Sequence, residues 1–182
     1  MSTTGWQAEL TVPVSPDRDH IQGPLDAPAT LVEYGDFQCP YCGKAYPIVK
    51  EVQARMGDRL RFVFRNFPIT TSHQYAQHAA EAAEAAAAQG KFWEMHDALF
   101  ENQPRLDDAD LRRYADRVGL DLERFDADMA QHAYAERVRE DFMGGVRSGV
   151  NGTPTFYVNG ARHDDAYDVE TLVGALERAP GA

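Results

Sequence analysis

Val32-Glu33-Tyr34-Gly35-Asp36-Phe37-Gln38-Cys39-Pro40-Tyr41-Cys42-Gly43 decides how the rest of the chain is read. Thr30 to Tyr34 is a short, β-prone, mostly apolar run and reads as a central strand ended by Gly35 and Asp36. A helix is expected to follow at once. Pro40 suits the first helical position, where a missing N–H costs nothing. Ala45, Ile48, Val49 and Val52 continue at helical spacing until Gly57 and Asp58, with Pro47 predicting a kink. Leu60 to Phe64 reads as the next strand, closed by Pro68. The unit is strand–helix–strand, with both cysteines of the chain at its first turn.

Two cysteines so close together staple nothing, because a loop that short barely constrains the unfolded chain. Their placement points to chemistry. Cys39 falls where helix N–H groups are unpaired and the helix dipole is positive. That setting favours thiolate over thiol. A thiolate attacks a disulfide sulfur to form a mixed disulfide, and a second thiol resolves it. Cys39 is therefore expected to be the exposed nucleophile and Cys42 the shielded resolver. Inert buried thiols and half of a zinc site are the competing readings. Structural zinc takes four ligands. No further cysteine exists, and His20, His73, His78, His96, His132 and His163 show no ligand pair at the usual spacing. Neither a metal nor an organic cofactor is expected.

Outward from this unit, Glu9 to Val14 alternates and carries Pro13, which predicts an edge strand. Residues 15–28 hold Pro16, Gly23, Pro24 and Pro28 and read as an exposed connector. Residues 72–148 read as almost wholly helical. Ser72 is the expected cap of an alanine-rich helix stopped by Gly90, and Lys91 to Gln103 forms the next. Further helices open at Asp107 or Asp108 and at Asp121, and a last one ends before Gly144-Gly145. Thr155 to Val158, Asn159-Gly160 and Ala161 to His163 read as a tight hairpin. Asp168 caps a final amphipathic helix through Val169, Leu172, Val173 and Leu176.

The 182 residues suit about one domain of ordinary size. Lys plus Arg is 18 against 29 for Asp plus Glu, a net charge of −11. That balance argues against nucleic acid or an anionic membrane surface as the main partner. No apolar run approaches the ~18 residues of a membrane span. Met1 to Leu10 lacks the basic and apolar regions of a secretory leader, so the cytoplasm is the expected compartment.

The segment Val32 to Gly43 resembles the active-site stretch of the DsbA-like thiol–disulfide oxidoreductases of the thioredoxin superfamily. Asn151-Gly152-Thr153-Pro154-Thr155-Phe156 resembles the segment carrying that superfamily's cis-proline. Phe92-Trp93-Glu94-Met95-His96 is similar to part of the family's inserted helices, and Pro47 falls where thioredoxin-like helices often carry a proline. The resemblance spans about residues 22–178. It implies an α/β thioredoxin fold interrupted by an all-helical insertion. Residues 1–27 would be an edge strand and connector, 28–71 with 149–182 the core, and 72–148 the insertion.

The resemblance also implies a cis Pro154 beside the cysteines, with Thr153 offering backbone hydrogen bonds to an extended substrate strand. Pro40 and Tyr41 would complete the substrate-binding surface. From the residues alone, Thr153-Pro154 reads as an ordinary turn before a strand. Glu33 lies six residues before Cys39. It either faces water at a strand end or, as the resemblance implies, sits buried beneath Cys42 and exchanges a proton with it. Asp36 reads as a turn residue, and Trp93 and His96 as core. Tyr41 stands where the strong oxidants of the family carry histidine; tyrosine supplies no positive charge at neutral pH, so weaker oxidising power is expected.

The expected activity is thiol–disulfide exchange on protein, or small-molecule, disulfides and dithiols. A low-molecular-weight thiol or a reductase would recycle the pair. A cytoplasmic address favours reduction of substrate. Three alternatives stand beside this reading. One is a glutathione-dependent transferase or isomerase on the same fold, which the intact cysteine pair counts against. Another is a redox sensor or binding module without turnover. Similar domains also occur joined to membrane transporters; with no spanning segment here, that role calls for a separate partner.

Overall fold

The computed structural model describes residues 7–178. Residues 1–6 and 179–182 lie outside the described residues, and with them part of the segment read above as lacking a leader. Five strands form one sheet in the order β1-β3-β2-β4-β5: β1 His20–Gln22, β2 Ala29–Gly35, β3 Leu60–Asn66, β4 Thr155–Val158 and β5 Ala161–His163. The β2–β3 pair is parallel, in the register Glu33↔Phe64, while β1, β4 and β5 join antiparallel. Helix α1, Pro40–Met56, makes the crossover between the parallel strands and runs unbroken through Pro47. Five helices follow β3: α2 Ala76–Ala87, α3 Phe92–Glu101, α4 Asp108–Arg117, α5 Leu122–Ala130 and α6 Ala135–Arg147. Helix α7, Val169–Arg178, ends the described chain. The fold is α/β and thioredoxin-like, with a mixed sheet.

The period of two along a strand sorts the core into two faces. Leu31, Phe62, Phe64, Phe156 and Val158 pack with α1, α7 and the helices after β3. Val32, Tyr34, Val63 and Tyr157 pack on the other side with Phe67 and Val150. Glu33 shares parity with Leu31, so it points to the face where α1 carries Cys42.

Several local expectations change. Glu9 to Val14 is not a strand; its one ladder contact is an isolated bridge, Glu9↔Ala161. Leu10 N–H reaches the Gly160 carbonyl at 2.8 Å, but beyond it side chains take over: Arg65 donates to the carbonyls of Val12 and Pro13, and Ser148 Oγ accepts from Thr11 N–H. The connector 15–28 contains β1, whose three residues pair with β3. Helix α2 starts at Ala76 rather than after Ser72, and Tyr75 at its cap makes no side-chain bond. The chain before it is pulled into turns instead, because Asp36 Oδ2 accepts from both Ile69 N–H and His73 Nδ1. Gly144 and Gly145 lie inside α6 rather than beyond its end. A Cβ on Gly145 would sit 2.8 Å from the Phe67 ring and 3.0 Å from that of Tyr34, so Gly145 lets the helix approach these rings.

Asp107 and Asp121 accept from Asp110 and Arg124 N–H as caps of α4 and α5. Asp168 does the same for Thr171 in α7. Asn159 and Gly160 adopt φ of +47° and +87°, the left-handed pair of a tight hairpin.

Candidate active site

Three pieces of chain meet at the N-terminus of α1. Cys39 is the residue before the first helical turn, with extended backbone (φ −67°, ψ 123°), and Pro40 follows at the first helical position. Asp36 holds this entry: its Oδ1 accepts from Gln38 N–H at 2.8 Å and Cys39 N–H at 3.2 Å. Gln103, just past α3, donates from Nε2 to the carbonyls of Phe37 and Cys39, each at 2.9 Å. Asp36 belongs to the Val32–Gly43 stretch, whereas Gln103 comes from outside it. Asp36 was read only as a turn residue, and nothing in the sequence marked Gln103.

Cys39 and Cys42 are both free thiols and lie near each other without a bond. Cys42 is fully buried, and Asp36 N–H points at its sulfur at 3.5 Å. Cys39 was expected to be exposed, but only 4% of it is accessible. Thr153 approaches it from far along the chain, with its carbonyl oxygen 3.5 Å from Cys39 Sγ. The Thr153–Pro154 peptide bond is cis. Pro40 and Tyr41 lie at the surface, Tyr41 being 60% exposed with Lys44 Nζ over its ring.

The two sulfurs differ sharply in acidity. Hydrogen bonding from the Cys42 thiol is the leading influence on Cys39; burial opposes it, and Thr153 and the backbone N–H groups of Cys42 and Tyr41 assist. The net result lowers Cys39 to about 5. No charged side chain at position 41 is needed for this. Burial pushes the Cys42 thiol well up, and the neighbouring Cys39 and Glu33 add to the rise. Glu33 is buried rather than facing water, and its Oε1 has no hydrogen-bond partner. Burial first, then the charge of Cys39, raises it from the ordinary 4.5 to about 8. Tyr167 is a further neighbour that the sequence did not flag: it packs on Phe156, and burial and the two cysteines raise its phenol.

His96 is core, as read. It is buried among Phe37, Phe64 and Phe100, and burial lowers its pKa. Trp93 packs edge-on against it.

A thiol pair of unequal acidity at a helix N-terminus sits inside a recognisable family fold. The thioredoxin family profile matches residues 15–178. The chain belongs to that family. Its structural matches include DsbA-family thiol–disulfide oxidoreductases. Oxidised BdbD from Bacillus subtilis is 25% identical, with a TM-score of 0.82 over 94% of this chain and 96% of that one. A thioredoxin-like oxidoreductase from Silicibacter pomeroyi is 30% identical, with a TM-score of 0.79 over 90% of this chain and 92% of that one. By sequence, the chain is 53% identical over 171 residues to a protein of Salinispora arenicola named Na(+)/H(+) antiporter NhaA 1. That match covers 94% of this chain and 26% of the antiporter, so the chain spans about a quarter of the length of such relatives. Among the described residues, no helix is long and apolar enough to cross a membrane.

Proposed function

We propose that the protein is a thiol–disulfide oxidoreductase that exchanges electrons with protein disulfides through the Cys39-Pro40-Tyr41-Cys42 pair. The observation that carries this reading is the placement of two free thiols at the N-terminus of α1, Cys39 before the first turn and Cys42 fully buried behind it; in that setting Cys39 is lowered to about 5 and Cys42 raised. A lowered first thiol is a nucleophile at neutral pH, and a raised second thiol stays protonated until it is needed.

In the reducing direction, the Cys39 thiolate attacks one sulfur of a substrate disulfide. The S–S bond breaks, a mixed disulfide forms, and the first substrate thiolate leaves and takes a proton from water. The Cys42 thiol then gives its proton to the Glu33 carboxylate and attacks the Cys39 sulfur. The second substrate thiolate leaves, a Cys39–Cys42 disulfide remains, and the substrate has gained two electrons. Oxidation of a dithiol runs the same steps backwards. A group held near 8, as Glu33 is, serves both to take and to return that proton near neutral pH.

Pro40, Tyr41, Thr153 and Pro154 form the surface against which an extended substrate segment lies, with Thr153 backbone as its hydrogen-bond partner. The couple is the two sulfurs themselves, so the reaction needs neither metal nor organic cofactor. A low-molecular-weight thiol or a reductase returns the pair to its working state. The direction follows the pair's reduction potential against that of its compartment: a reducing compartment draws the pair toward reducing substrates, an oxidising one toward oxidising them.

The test compares turnover of a model disulfide by the parent, Cys39→Ser and Cys42→Ser. Cys39→Ser should abolish exchange, and Cys42→Ser should accumulate mixed disulfides visible by mass. Normal turnover by Cys39→Ser would remove the assignment. A single stoichiometric exchange without turnover in the parent would favour the sensor. Glutathione conjugation that survives loss of Cys42 would favour the transferase.

The antiporter relatives favour one addition to this reading: the exchange domain works beside, or attached to, a cation antiporter. Transport that is unchanged when Cys39 is replaced in such an assembly would count against it.

A further inference from the structure

The fold brings together three side chains that sequence spacing kept apart. His78 and Glu81 lie three positions apart on α2, hence on one face. His132 comes from the connection between α5 and α6. A ring nitrogen of each histidine and a carboxylate oxygen of Glu81 all lie within 4.8 Å of one another. His132 Nδ1 stands 3.0 Å from Glu81 Oε1, and His78 Nδ1 2.7 Å from Asp108 Oδ1. Glu81 is only 2% exposed, and its other oxygen accepts from Gln77 Nε2 at 3.3 Å. The two imidazoles are open to solvent, at 40% and 57% of their side-chain surface. Together with Asp108, Phe125, Asp126 and Met129 they rim a cleft of about 470 Å³.

We propose that His78, Glu81 and His132 bind a divalent transition-metal ion of the Zn(II) class, independently of the exchange reaction. Two imidazoles and one carboxylate form a donor set suited to such an ion and leave a position open toward the cleft. Imidazole donors disfavour Ca(II) and Mg(II), which take oxygen. Asp108 supplies the outer hydrogen bond that commonly fixes a ligating histidine, leaving Nε2 of His78 to face the metal. A tetrahedral ion with bonds of ~2.0–2.1 Å sets its ligand atoms about 3.4 Å apart. The trio must therefore close by roughly an ångström, which the two exposed rings supply by rotation while buried Glu81 stays in place. The alternative is two ordinary histidine–carboxylate hydrogen bonds on a helical surface. The ion differs from that in its consequence: it ties the α5–α6 connection to α2.

The experiment uses an untagged, chelator-stripped Cys39→Ala/Cys42→Ala chain, so that thiols bind nothing. Zn(II) is titrated by calorimetry and by competition with a chromogenic chelator, and Co(II) reports the ligand type by its visible spectrum. One ion per chain is expected, with visible Co(II) bands and no sulfur charge-transfer band. His78→Ala and His132→Asn should each weaken binding ~10-fold or more. His132 has a φ of +49°, which asparagine tolerates, so the second variant keeps its fold. Zn(II) should raise the melting temperature of the Cys39→Ala/Cys42→Ala chain and not that of the same chain carrying His132→Asn. No saturable uptake, or uptake unchanged in both histidine variants, would overturn the site.

Discussion

Replacing Glu33 by glutamine keeps the shape of the side chain and removes the proton. The folded protein holds this carboxyl at about 8 against an ordinary 4.5. A group raised on folding binds more protons in the native state, so its stability contribution is intact below about pH 4.5 and falls as pH rises toward 8. Each pH unit in that window removes ~1.4 kcal/mol. By pH 7 the ionisable side chain therefore costs the fold about 3 kcal/mol relative to an unionisable one. Glu33→Gln should gain on the parent by about 2.5 kcal/mol between pH 5 and pH 7, read from urea unfolding at each pH. Part of the rise comes from the charge on Cys39, so the gap should narrow when the pair is oxidised. The same substitution should slow resolution of the mixed disulfide by ~10²-fold or more, the usual scale for a lost general base. A stability difference that stays constant from pH 5 to pH 9 would refute the reasoning, because it would mean the carboxylate is ionised in the fold.

Other substitutions probe the surroundings. The rate of Cys39 alkylation should rise with pH to a midpoint near 5 and then level, whereas an unperturbed thiol would still be climbing at pH 8. Asp19 and Arg65 form an ion pair with both side chains fully buried, at 2.8 Å; Asp19→Asn should cost about 3–5 kcal/mol in urea unfolding at pH 7. Burial raises the Asp19 carboxyl, but the Arg65 hydrogen bond and charge outweigh it, leaving it lowered. The pair's contribution is thus present above the ordinary aspartate range and is lost as pH falls below it, so parent and variant should converge in acid. Gln103→Ala leaves the Phe37 carbonyl without its side-chain donor and should cost about 1 kcal/mol. It should also loosen the Cys39 turn, seen as faster alkylation at fixed pH.

The parts of the fold legible in the sequence were those set by local chemistry. The β2–α1–β3 unit followed from one apolar run, Pro40 and Gly57, and the hairpin followed from Asn159-Gly160. The caps at Asp107, Asp121 and Asp168 were likewise readable. What escaped was set by distant partners. The three residues of β1 are strand only because β3 offers them an edge. Glu9 to Val14 alternates like a strand, yet Arg65 and Ser148 claim its backbone. Gly144-Gly145 looked like a stop because glycine ends helices, whereas here both lie inside α6, and Phe67 and Tyr34 leave no room for a side chain at Gly145. At the site, the cysteines announced themselves by spacing. Gln103 and Tyr167 could not, since each reaches the cysteines from another part of the chain. Burial of Cys39 was missed for the same reason: Thr153, whose carbonyl approaches its sulfur, lies 114 residues away.

The central claim is that Cys39 and Cys42 form one two-electron couple with a stabilised thiolate. Equilibrating the protein in defined glutathione buffers, trapping free thiols and weighing the products tests it directly. A nucleophile near 5 lies between the ~7 of thioredoxin and the ~3.5 of a strong oxidant. The reduction potential should accordingly fall between about −270 and −120 mV, with both thiols lost together. Separate glutathione adducts without an internal disulfide, or a potential well below about −270 mV, would contradict the account.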